Sequence, residues 1–427
     1  MIDVKLILEK PDYVVAALKK KNWDFDPKAI QSLSAERLSL LKEVETVKAE
    51  QNKLSSSVPA LKKEGKDLKP IFARVKELGA ANKENEARLA EVEAKLKAEL
   101  EVLPNLPDDD LVGGGKENNT PIYSYGKKPD FAGFTPKNHV ELCESLGLID
   151  YKRAAKISGT GTWIYTGLGA QLEWALLNYF ISSHLADGYT MILPPHLLNY
   201  QSGYTAGQFP KFSEDVFWLA DTDPKKFILP TAETALVNIH RDEILSLDEL
   251  PKKYFAYTPC YRKEAGSYRT EERGMIRGYQ FDKVEMVQYT TEEGSDAAFE
   301  EMVKKAQKLL EGLGLCYQLD KLAAGDCSHS MARTYDIEVW IPSMGIYKEV
   351  SSVSNARDYQ ARRGMIRYKG EDGKTHFCHT LNGSGLATSR VYPAMIEQFQ
   401  QADGSFLIPE VLRPYMGGLE VIKPIKK

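Results

Sequence analysis

The chain has 427 residues, of which 43% are hydrophobic and 27% are charged, and its formal net charge at pH 7 is −4. Because this length exceeds one ordinary hydrophobic core, we expect two or more domains. The nearly balanced charge excludes a protein that binds nucleic acid through a uniformly basic surface, so any RNA contact must come from a local patch.

The cysteines and the apolar runs indicate the compartment. The five cysteines are widely spaced and form no CxxC pair, which argues against a disulfide framework and for a reducing compartment. The first residues lack the apolar stretch of a signal peptide. No run approaches the roughly 18 apolar residues of a membrane span. We therefore expect a soluble, cytoplasmic protein that has no membrane partner.

Residues 1–105 predict a helical arm. Asp26-Pro27 is typical of a helix start, and apolar residues then recur at spacings of three and four as far as Val58. Pro59 is expected to end this helix. A second run of the same kind starts at Pro70 and reaches Leu103. The period of 3.5 residues predicts an antiparallel coiled-coil hairpin.

The hairpin allows more than one interpretation at this stage. It could be a dimerisation coil, a pair of helices packed on a larger body, or an arm that binds RNA. Its turn carries a cluster of lysines, which is either simply solvated or an RNA-binding tip; the cluster consists of Lys62, Lys63, Lys66 and Lys69.

Residues 106–135 predict a linker, because Pro107, the acidic run 108–110 and the glycine run 113–115 break any period. From residue 136 onward, strand-like segments are expected at 189–193, 215–219, 226–229, 254–260, 275–288, 335–341 and 346–352. Helices are expected at 169–185, 232–244, 292–313 and 386–400. Several strands follow one another without a helix, which favours an α+β catalytic domain, 136–427, with helices flanking an antiparallel sheet.

The segment 259–285 has the strongest pattern for chemistry. Arg262 and Glu264 are two residues apart and therefore share one face of a strand. Phe281 and Glu285 likewise share one face of the next strand. An arginine fork matches phosphate or carboxylate oxygens. A carboxylate can accept from an adenine amino group, and an aromatic ring can stack on the base. A surface salt bridge on a β-hairpin is the alternative interpretation. The chain has no GxxxxGK[ST] loop and no GxGxxG after a strand.

This segment resembles the second signature motif of the class II aminoacyl-tRNA synthetases. Residues 383–390, which are expected to open an apolar helix, resemble the third motif. The expected helix 171–185 and the strand that ends at Pro194-Pro195 resemble the first motif, which builds the dimer interface in that class.

The resemblance narrows to the seryl-tRNA synthetases and covers essentially the whole chain. Segments that recur in that family appear in order at 156–159, 209–212, 229–233, 349–352 and 379–385. The resemblance implies a homodimer that activates L-serine with ATP and transfers it to serine tRNA and, where present, to selenocysteine tRNA. The long variable arm of that tRNA would be the target of the helical arm.

The resemblance also implies an ATP site and a magnesium site. ATP would be bound by Arg262, Glu264, Phe281, Glu349, Val350, Ser351, Ser352 and Arg390. Arg262, Glu264 and Arg390 are the expected catalytic residues: the first would hold the α-phosphate, the second would meet the adenine and the third would hold the γ-phosphate. Phe281 would stack on the adenine, and Glu349 and Ser352 would bind Mg²⁺ together with ATP.

A serine pocket follows from the same resemblance. It would be lined by Thr231, Ala232, Glu233, Arg262, Glu285, Asn382 and Ser384. Adenylate formation brings two anions together, so positive charge from the two arginines and Mg²⁺ must screen them. The reaction needs no side-chain nucleophile.

The chain departs from the family pattern in three places. Residues 268–274 stand where the family often has Gly-Arg-Asp-Thr-Arg-Gly, so contacts of the segment Arg269 to Glu272 with the tRNA acceptor end stay open. Tyr279 stands where His is common, and Ser389 where Gly is common. None of these changes removes a group that the chemistry needs.

Zinc ligands are a further option, since some archaeal relatives carry zinc in the pocket. The available side chains lack tight CxxC spacing, so zinc is not expected here; they are Cys327, His329, His376, Cys378 and His379. Two rival functions are a ligase of the same core that loads a carrier protein, whose members lack the long arm, and a non-catalytic RNA-binding paralogue, which would not need a full ATP site.

Overall fold

The structure is a computed structural model, and it describes residues 1–264 and 274–425. The chain divides into two compact units. One consists of Ile2–Lys19 and Trp23–Leu103. The other consists of Met1, Lys20–Asn22 and Pro104–Lys427. The finer division into an arm (1–105), a linker (106–135) and a catalytic domain (136–427) stays a prediction. Within the described ranges, no helix has both the length and the apolar character that crossing a membrane requires.

The first unit is dominated by two long helices. Its helices are α1 (Val4–Glu9), α2 (Pro11–Lys20), α3 (Lys28–Lys63) and α4 (Lys69–Glu101). Ion pairs join Arg37 to Glu93 and Glu50 to Arg74. Because the later residue of α3 pairs with the earlier residue of α4, the two helices are antiparallel. The buried side chains of the two helices lie within the two apolar runs that predicted the hairpin, among them Leu40, Val44, Leu78, Val92 and Leu96.

The expectation that Pro59 ends the first long helix was wrong. The helix continues through this proline to Lys63. A proline lacks the N–H that would bond to the carbonyl four residues earlier. The bonds after it survive, as the bond of 3.1 Å from Glu64 N to Ala60 O shows. The helix therefore ends about one turn later than predicted.

The second unit is built around an eight-stranded sheet with the order β1-β8-β9-β10-β13-β7-β6-β2. Its strands are β1 (Thr120–Tyr125), β2 (Thr190–Met191), β6 (Lys252–Tyr261), β7 (Gln280–Thr290), β8 (Tyr317–Lys321), β9 (Arg333–Ile341), β10 (Ile346–Asn355) and β13 (His379–Ala387). β2 pairs parallel to β6, and the other neighbours are antiparallel. The α+β prediction is confirmed.

Shorter strands form three small sheets. These strands are β3 (Leu197–Asn199), β4 (Lys226–Ile228), β5 (Ile244–Ser246), β11 (Arg367–Lys369), β12 (Thr375–Phe377), β14 (Phe406–Leu407) and β15 (Val421–Ile422). The helices of this unit are α5 (His139–Ser145), α6 (Tyr151–Ser158), α7 (Leu168–Ala186), α8 (Tyr200–Thr205), α9 (Glu233–Leu236), α10 (Ser295–Leu313), α11 (Tyr359–Gly364) and α12 (Thr388–Gln398).

One face of the large sheet carries the main core. Helices α7, α10 and α12 pack there, and Phe180, Met302 and Met395 join Met286 and Val353 of the sheet in one buried cluster. Side chains alternate along a strand, so the neighbours of these core residues point to the opposite face. That face carries the site described below.

Four predicted elements of this unit need correction. The helix expected at 232–244 is only α9, because the chain turns after Val237 and Asp242 has a φ of 65°, in the left-handed region. The strand expected from 275 starts at Gln280. Ahead of it, Gly278 packs so closely on Trp163 that a Cβ would lie 2.3 Å from the ring.

The helix expected from residue 386 begins at Thr388, because the preceding residues continue β13 in the middle of the sheet. The segment 215–219 forms only a bridge between Trp218 and Phe227 rather than a strand.

Candidate active site

The free face of the sheet lines a cavity of about 680 Å³. Four neighbouring strands contribute polar side chains to it in pairs two residues apart, as the alternation of a strand requires. The pairs are Thr334 and Asp336 on β9, Ser352 and Ser354 on β10, Asn382 and Ser384 on β13, and Lys283 and Glu285 on β7. The sheet thus gathers residues from distant parts of the chain into one polar surface.

Glu285 is the centre of the pocket expected for serine. Its side chain is 1% exposed and accepts from Asn382 Nδ2 at 3.2 Å and from Ser384 Oγ at 3.3 Å. It also forms an ion pair with Lys283, whose ammonium donates to Thr231 Oγ1 at 2.7 Å. The structure therefore brings the predicted residues together. It also contains an ion pair between Lys283 and Glu285, which would give Glu285 a purely structural role.

Glu233 is a second carboxylate in this part of the cavity. It is 8% exposed, and Gln360 Nε2 donates to its Oε1 at 2.8 Å. Burial, followed by the charge of Glu285, raises the pKa of Glu233 to about 7, against the hydrogen bond from Gln360 and the charges of Lys283 and Arg262. Ala232, expected in the same pocket, is fully buried in a neighbouring apolar cluster instead of lining the cavity.

Arg262 and Glu264 lie just after β6 and both line the cavity. Arg262 Nε donates to Pro230 O at 3.2 Å, and its guanidinium lies 5.2 Å from the centre of the Phe281 ring. Glu264 accepts from Arg277 Nη1 at 2.9 Å. The arginine, the carboxylate and the aromatic ring of the second motif are therefore neighbours, with a second arginine at Glu264 that the sequence interpretation had not used.

Glu349 on β10 and Arg390 on α12 are in contact. Arg390 Nη1 donates to Glu349 O at 2.7 Å and lies 3.4 Å from the Glu349 carboxylate. Burial acts to raise the pKa of Glu349, but the charges of Arg390, Arg262 and Lys283 outweigh it, so its pKa lies below the usual value. Glu349 is therefore ionised at neutral pH.

Two of the expected ATP-binding side chains point away from the cavity. Val350 is part of the main core, and Ser351 is fully buried and donates to Ser384 O at 2.6 Å. Only their backbone could meet a ligand. Ser352, by contrast, lines the cavity beside Asp336. Burial, and next the charge of Glu349, raises the pKa of Asp336 well above its usual value, and its Oδ1 has no hydrogen-bond partner.

The cysteines and histidines considered for zinc are not gathered into a metal site in the described part of the chain. His376 pairs with Asp372 at 3.0 Å, and burial raises the pKa of Cys378 to about 12. In the part of the chain that the structure describes, no group of three or more His, Cys, Asp or Glu side chains is arranged to hold a metal. The atypical segment Arg269 to Glu272 lies outside the described residues.

Lys283 and Gln360 are two polar side chains beside the predicted serine-pocket residues to which the sequence assigned no role. Alternation could have found Lys283, because it shares the strand face of Glu285. Nothing local marks Gln360, which lies on α11, 127 residues after the Glu233 that it contacts.

Comparison with known proteins gives the class. The profile described as "tRNA synthetase class II core domain (G, H, P, S and T)" matches residues 217–399, and the profile "Seryl-tRNA synthetase N-terminal domain" matches residues 1–107. The antiparallel sheet, with an arginine and a carboxylate after β6 and a second arginine on α12, is that of a class II aminoacyl-tRNA synthetase.

Relatives along the whole chain give the family. "Serine--tRNA ligase 2" of Clostridium acetobutylicum is 57% identical over 98% of this chain and 99% of its own length. "Serine--tRNA ligase" of Acholeplasma laidlawii is 48% identical over 99% of this chain and 100% of its own. The crystal structure of seryl-tRNA synthetase from Pyrococcus horikoshii complexed with ATP matches with a TM-score of 0.91 and 32% identity, covering 100% of both chains. The chain belongs to the seryl-tRNA synthetases, the ligases that attach serine to tRNA.

Proposed function

We propose that the cavity on the sheet is where this chain activates serine with ATP and then passes the serine to the 3′ end of serine tRNA. The observation that carries this proposal is that Arg262, Glu264, Glu285 and Glu349 line one cavity, with Arg390 paired to Glu349. Loading of a carrier protein and a non-catalytic role are not supported by the comparisons, since the relatives are named as tRNA ligases and match the N-terminal region as well.

The first step is an in-line attack. A serine carboxylate oxygen forms a bond to the α-phosphorus, the bond from that phosphorus to the bridging oxygen breaks, and pyrophosphate leaves with the electron pair. Arg262 screens the two anions as they approach, and Arg390 holds the γ-phosphate. The two side chains act by position and charge, and no covalent enzyme intermediate forms.

The adenine is proposed to bind between Phe281 and Glu264. The ring of Phe281 already lies under the Arg262 guanidinium, so a base that stacks on it would be close to the same arginine. Glu264 accepts from the adenine amino group, and its bond to Arg277 fixes the carboxylate in place.

The residues around Glu349 fit a divalent cation carried in with ATP. Mg²⁺ takes oxygen ligands and is commonly held by one or two carboxylates together with substrate phosphates. Glu349 is ionised, Ser352 lines the cavity beside it, and the nearby Asp336 has a buried oxygen without a partner. Glu349 and Ser352 would hold the ion, which would supply positive charge to the phosphates.

Serine is proposed to bind against Thr231, Glu233, Glu285, Asn382 and Ser384. The substrate brings a hydroxyl, an ammonium and a carboxylate. Glu285, with Asn382 or Ser384, is the candidate partner of the hydroxyl, and Glu233 is the candidate partner of the ammonium. Arg262 is the candidate partner of the carboxylate.

The helical arm is proposed to bind the long variable arm of serine tRNA. The lysine cluster stands at its turn: Lys62 and Lys63 close α3, and Lys69 opens α4. Of the carboxylates in this turn, Glu64 pairs with Lys66 at 2.9 Å. Phosphate contacts of this kind weaken steeply with salt.

A homodimer through the region of α7 is proposed from its exposed apolar side chains. Trp174 is 53% exposed, Leu185 is 51% exposed and Leu193 is 77% exposed. An apolar surface of this kind is typical of protein interfaces. We also propose that the protein works in the cytoplasm, because its five cysteines are all free and buried.

The test is serine-dependent exchange of labelled pyrophosphate into ATP, followed by charging of serine tRNA with labelled serine. Both activities are expected, with alanine and threonine as the control amino acids. Exchange without charging would support the carrier-protein ligase, and tRNA binding without exchange would support the non-catalytic paralogue.

A further inference from the structure

Among the buried side chains of the pocket proposed for serine, carboxylates outnumber ammonium groups. Two carboxylates, Glu233 and Glu285, are buried in it, and they are 8% and 1% exposed. The lysine beside them, Lys283, is paired with Glu285 and donates to Thr231. Arg262 stands farther along, above Phe281. A substrate ammonium would supply the missing positive charge, and Glu233 is the carboxylate left to receive it.

Gln360 is the side chain that donates a hydrogen bond to Glu233. It is 1% exposed, and its Nε2 donates to Ala206 O at 2.9 Å and to Glu233 Oε1 at 2.8 Å. Its Oε1 accepts from Thr380 Oγ1 at 2.7 Å. Thr380 is fully buried on the central strand β13, next to the pocket residue Asn382.

These three bonds fix which way the amide of Gln360 points. Its oxygen can only accept and its nitrogen can only donate. A flipped amide would place its oxygen against the carbonyl of Ala206 and the carboxylate of Glu233, both of which are acceptors. The hydroxyl of Thr380 can donate, so the observed orientation satisfies all partners at once. The donor is therefore aimed permanently at Glu233.

We propose that Gln360 is a positioning residue for serine recognition: it fixes one oxygen of Glu233 and favours the ionised carboxylate, so that the other oxygen can bind the α-ammonium of serine. This inference rests on the function proposed above. Gln360 itself has no contact with the substrate, and it acts through Glu233.

The charges around Glu233 predict how the KM for serine should depend on pH. Burial and the charge of Glu285 on β7 raise the pKa of Glu233 to about 7, whereas Lys283, Arg262 and the bond from Gln360 lower it. Serine should bind the ionised form, so the KM for serine should rise as the pH falls below about 7. Removing the bond from Gln360 raises this pKa further, and the rise in KM then begins at a higher pH.

The experiment measures the KM for serine between pH 6.0 and 8.5 by pyrophosphate exchange, in the wild type and in Gln360→Met. Methionine keeps the length of the side chain and removes the donor. The loss of one hydrogen bond to a charged group predicts a KM about 10-fold higher at pH 7, a smaller difference at pH 8.5 and an unchanged KM for ATP.

Gln288→Met is the matched control. Gln288 is also fully buried, and it lies on β7 but on the face opposite to Glu285, where it donates to Tyr189. Its replacement should alter thermal stability without moving the pH dependence for serine. If Gln360→Met does not fold, Thr380→Val decides instead, because it removes the hydroxyl that fixes the amide of Gln360 and should move the pH inflection in the same direction without adding a charge.

The proposal is overturned if the folded variant keeps the pH profile of the wild type, or if the KM values for serine and ATP rise equally at every pH. Failure of the proposed function is a separate result, because the wild-type protein itself would then show no serine-dependent exchange.

Discussion

Replacing Glu285 by glutamine tests how the pocket selects serine. Serine differs from alanine by one hydroxyl, and a site that bonds a hydroxyl rejects the analogue without it strongly, by roughly 10⁴-fold. Glutamine keeps the shape of Glu285 and removes its charge. A hydrogen bond to a charged acceptor contributes about 1.5–3 kcal/mol, so kcat/KM for serine should fall about 10- to 100-fold. The value for alanine should hardly change.

The ion pair with Lys283 complicates this variant, because both side chains are buried, at 1% and 6% exposure. A lysine left without its partner costs about 3–5 kcal/mol of stability. The double variant Lys283→Met, Glu285→Gln removes both charges and should recover stability without recovering selectivity.

The assays for this prediction are pyrophosphate exchange with serine and with alanine, calorimetry with ATP alone, and thermal unfolding. ATP affinity should stay close to the wild-type value. Glu338→Gln is a control, since Glu338 is a largely buried carboxylate on β9 that accepts from Gln318 at 3.0 Å. Full discrimination in the single variant, or regained serine activity in the double variant, would show that Glu285 is structural and that the pocket assignment is wrong.

Three further predictions concern the arm, the assembly and a buried acid. Deleting residues 28–103 should leave adenylate formation nearly intact but severely reduce tRNA charging; equal loss of both would instead show that the core needs the arm. Mass measurement in solution should give a dimer for the full-length and the arm-deleted protein, and a Trp174→Glu variant should weaken it; a monomer only after arm deletion would assign dimerisation to the coil. Glu173 is 4% exposed, and burial, followed by the charge of Asp282, raises its pKa to about 8 against the lowering effect of Thr388 and Tyr165. Its native state keeps a proton that the unfolded chain loses above about pH 4.5, so stability falls as the pH rises between these two values. Relative to the wild type, Glu173→Gln should therefore gain about 1.4 kcal/mol in the free energy of unfolding per pH unit between about pH 4.5 and pH 8, and no more above that; a gain that does not change with pH in this range would contradict the prediction.

The sequence was most informative where a pattern is local. The heptads of α3 and α4 depend on spacing alone, and Arg262 with Glu264 is a pair two residues apart on one chain segment. The prediction that Pro59 ends the helix was wrong, because a proline near a helix end removes one backbone hydrogen bond while the bonds of the last turn still form. The local pattern predicted the type of secondary structure better than the residue at which each element ends.

The remaining differences come from contacts between distant residues. β13 contains Gly383 and Gly385 and has little strand propensity, yet it lies between β10 and β7, where both edges are paired. Gln360 has no neighbour in the sequence that marks it, because its partners Glu233 and Ala206 come from elsewhere in the chain. No pattern in one sequence shows such a contact before the fold is known.

The place of β13 in the sheet has a consequence for how the protein is made. This strand is the last of the eight along the chain, yet it joins β10 on one side to β7 on the other. Until the ribosome has released residues 379–387, the growing chain has two separate half-sheets with open edges, which can pair with other strands. A nascent chain that stops before this strand also lacks Asn382 and Ser384. The ability to select serine should therefore appear late in synthesis and all at once.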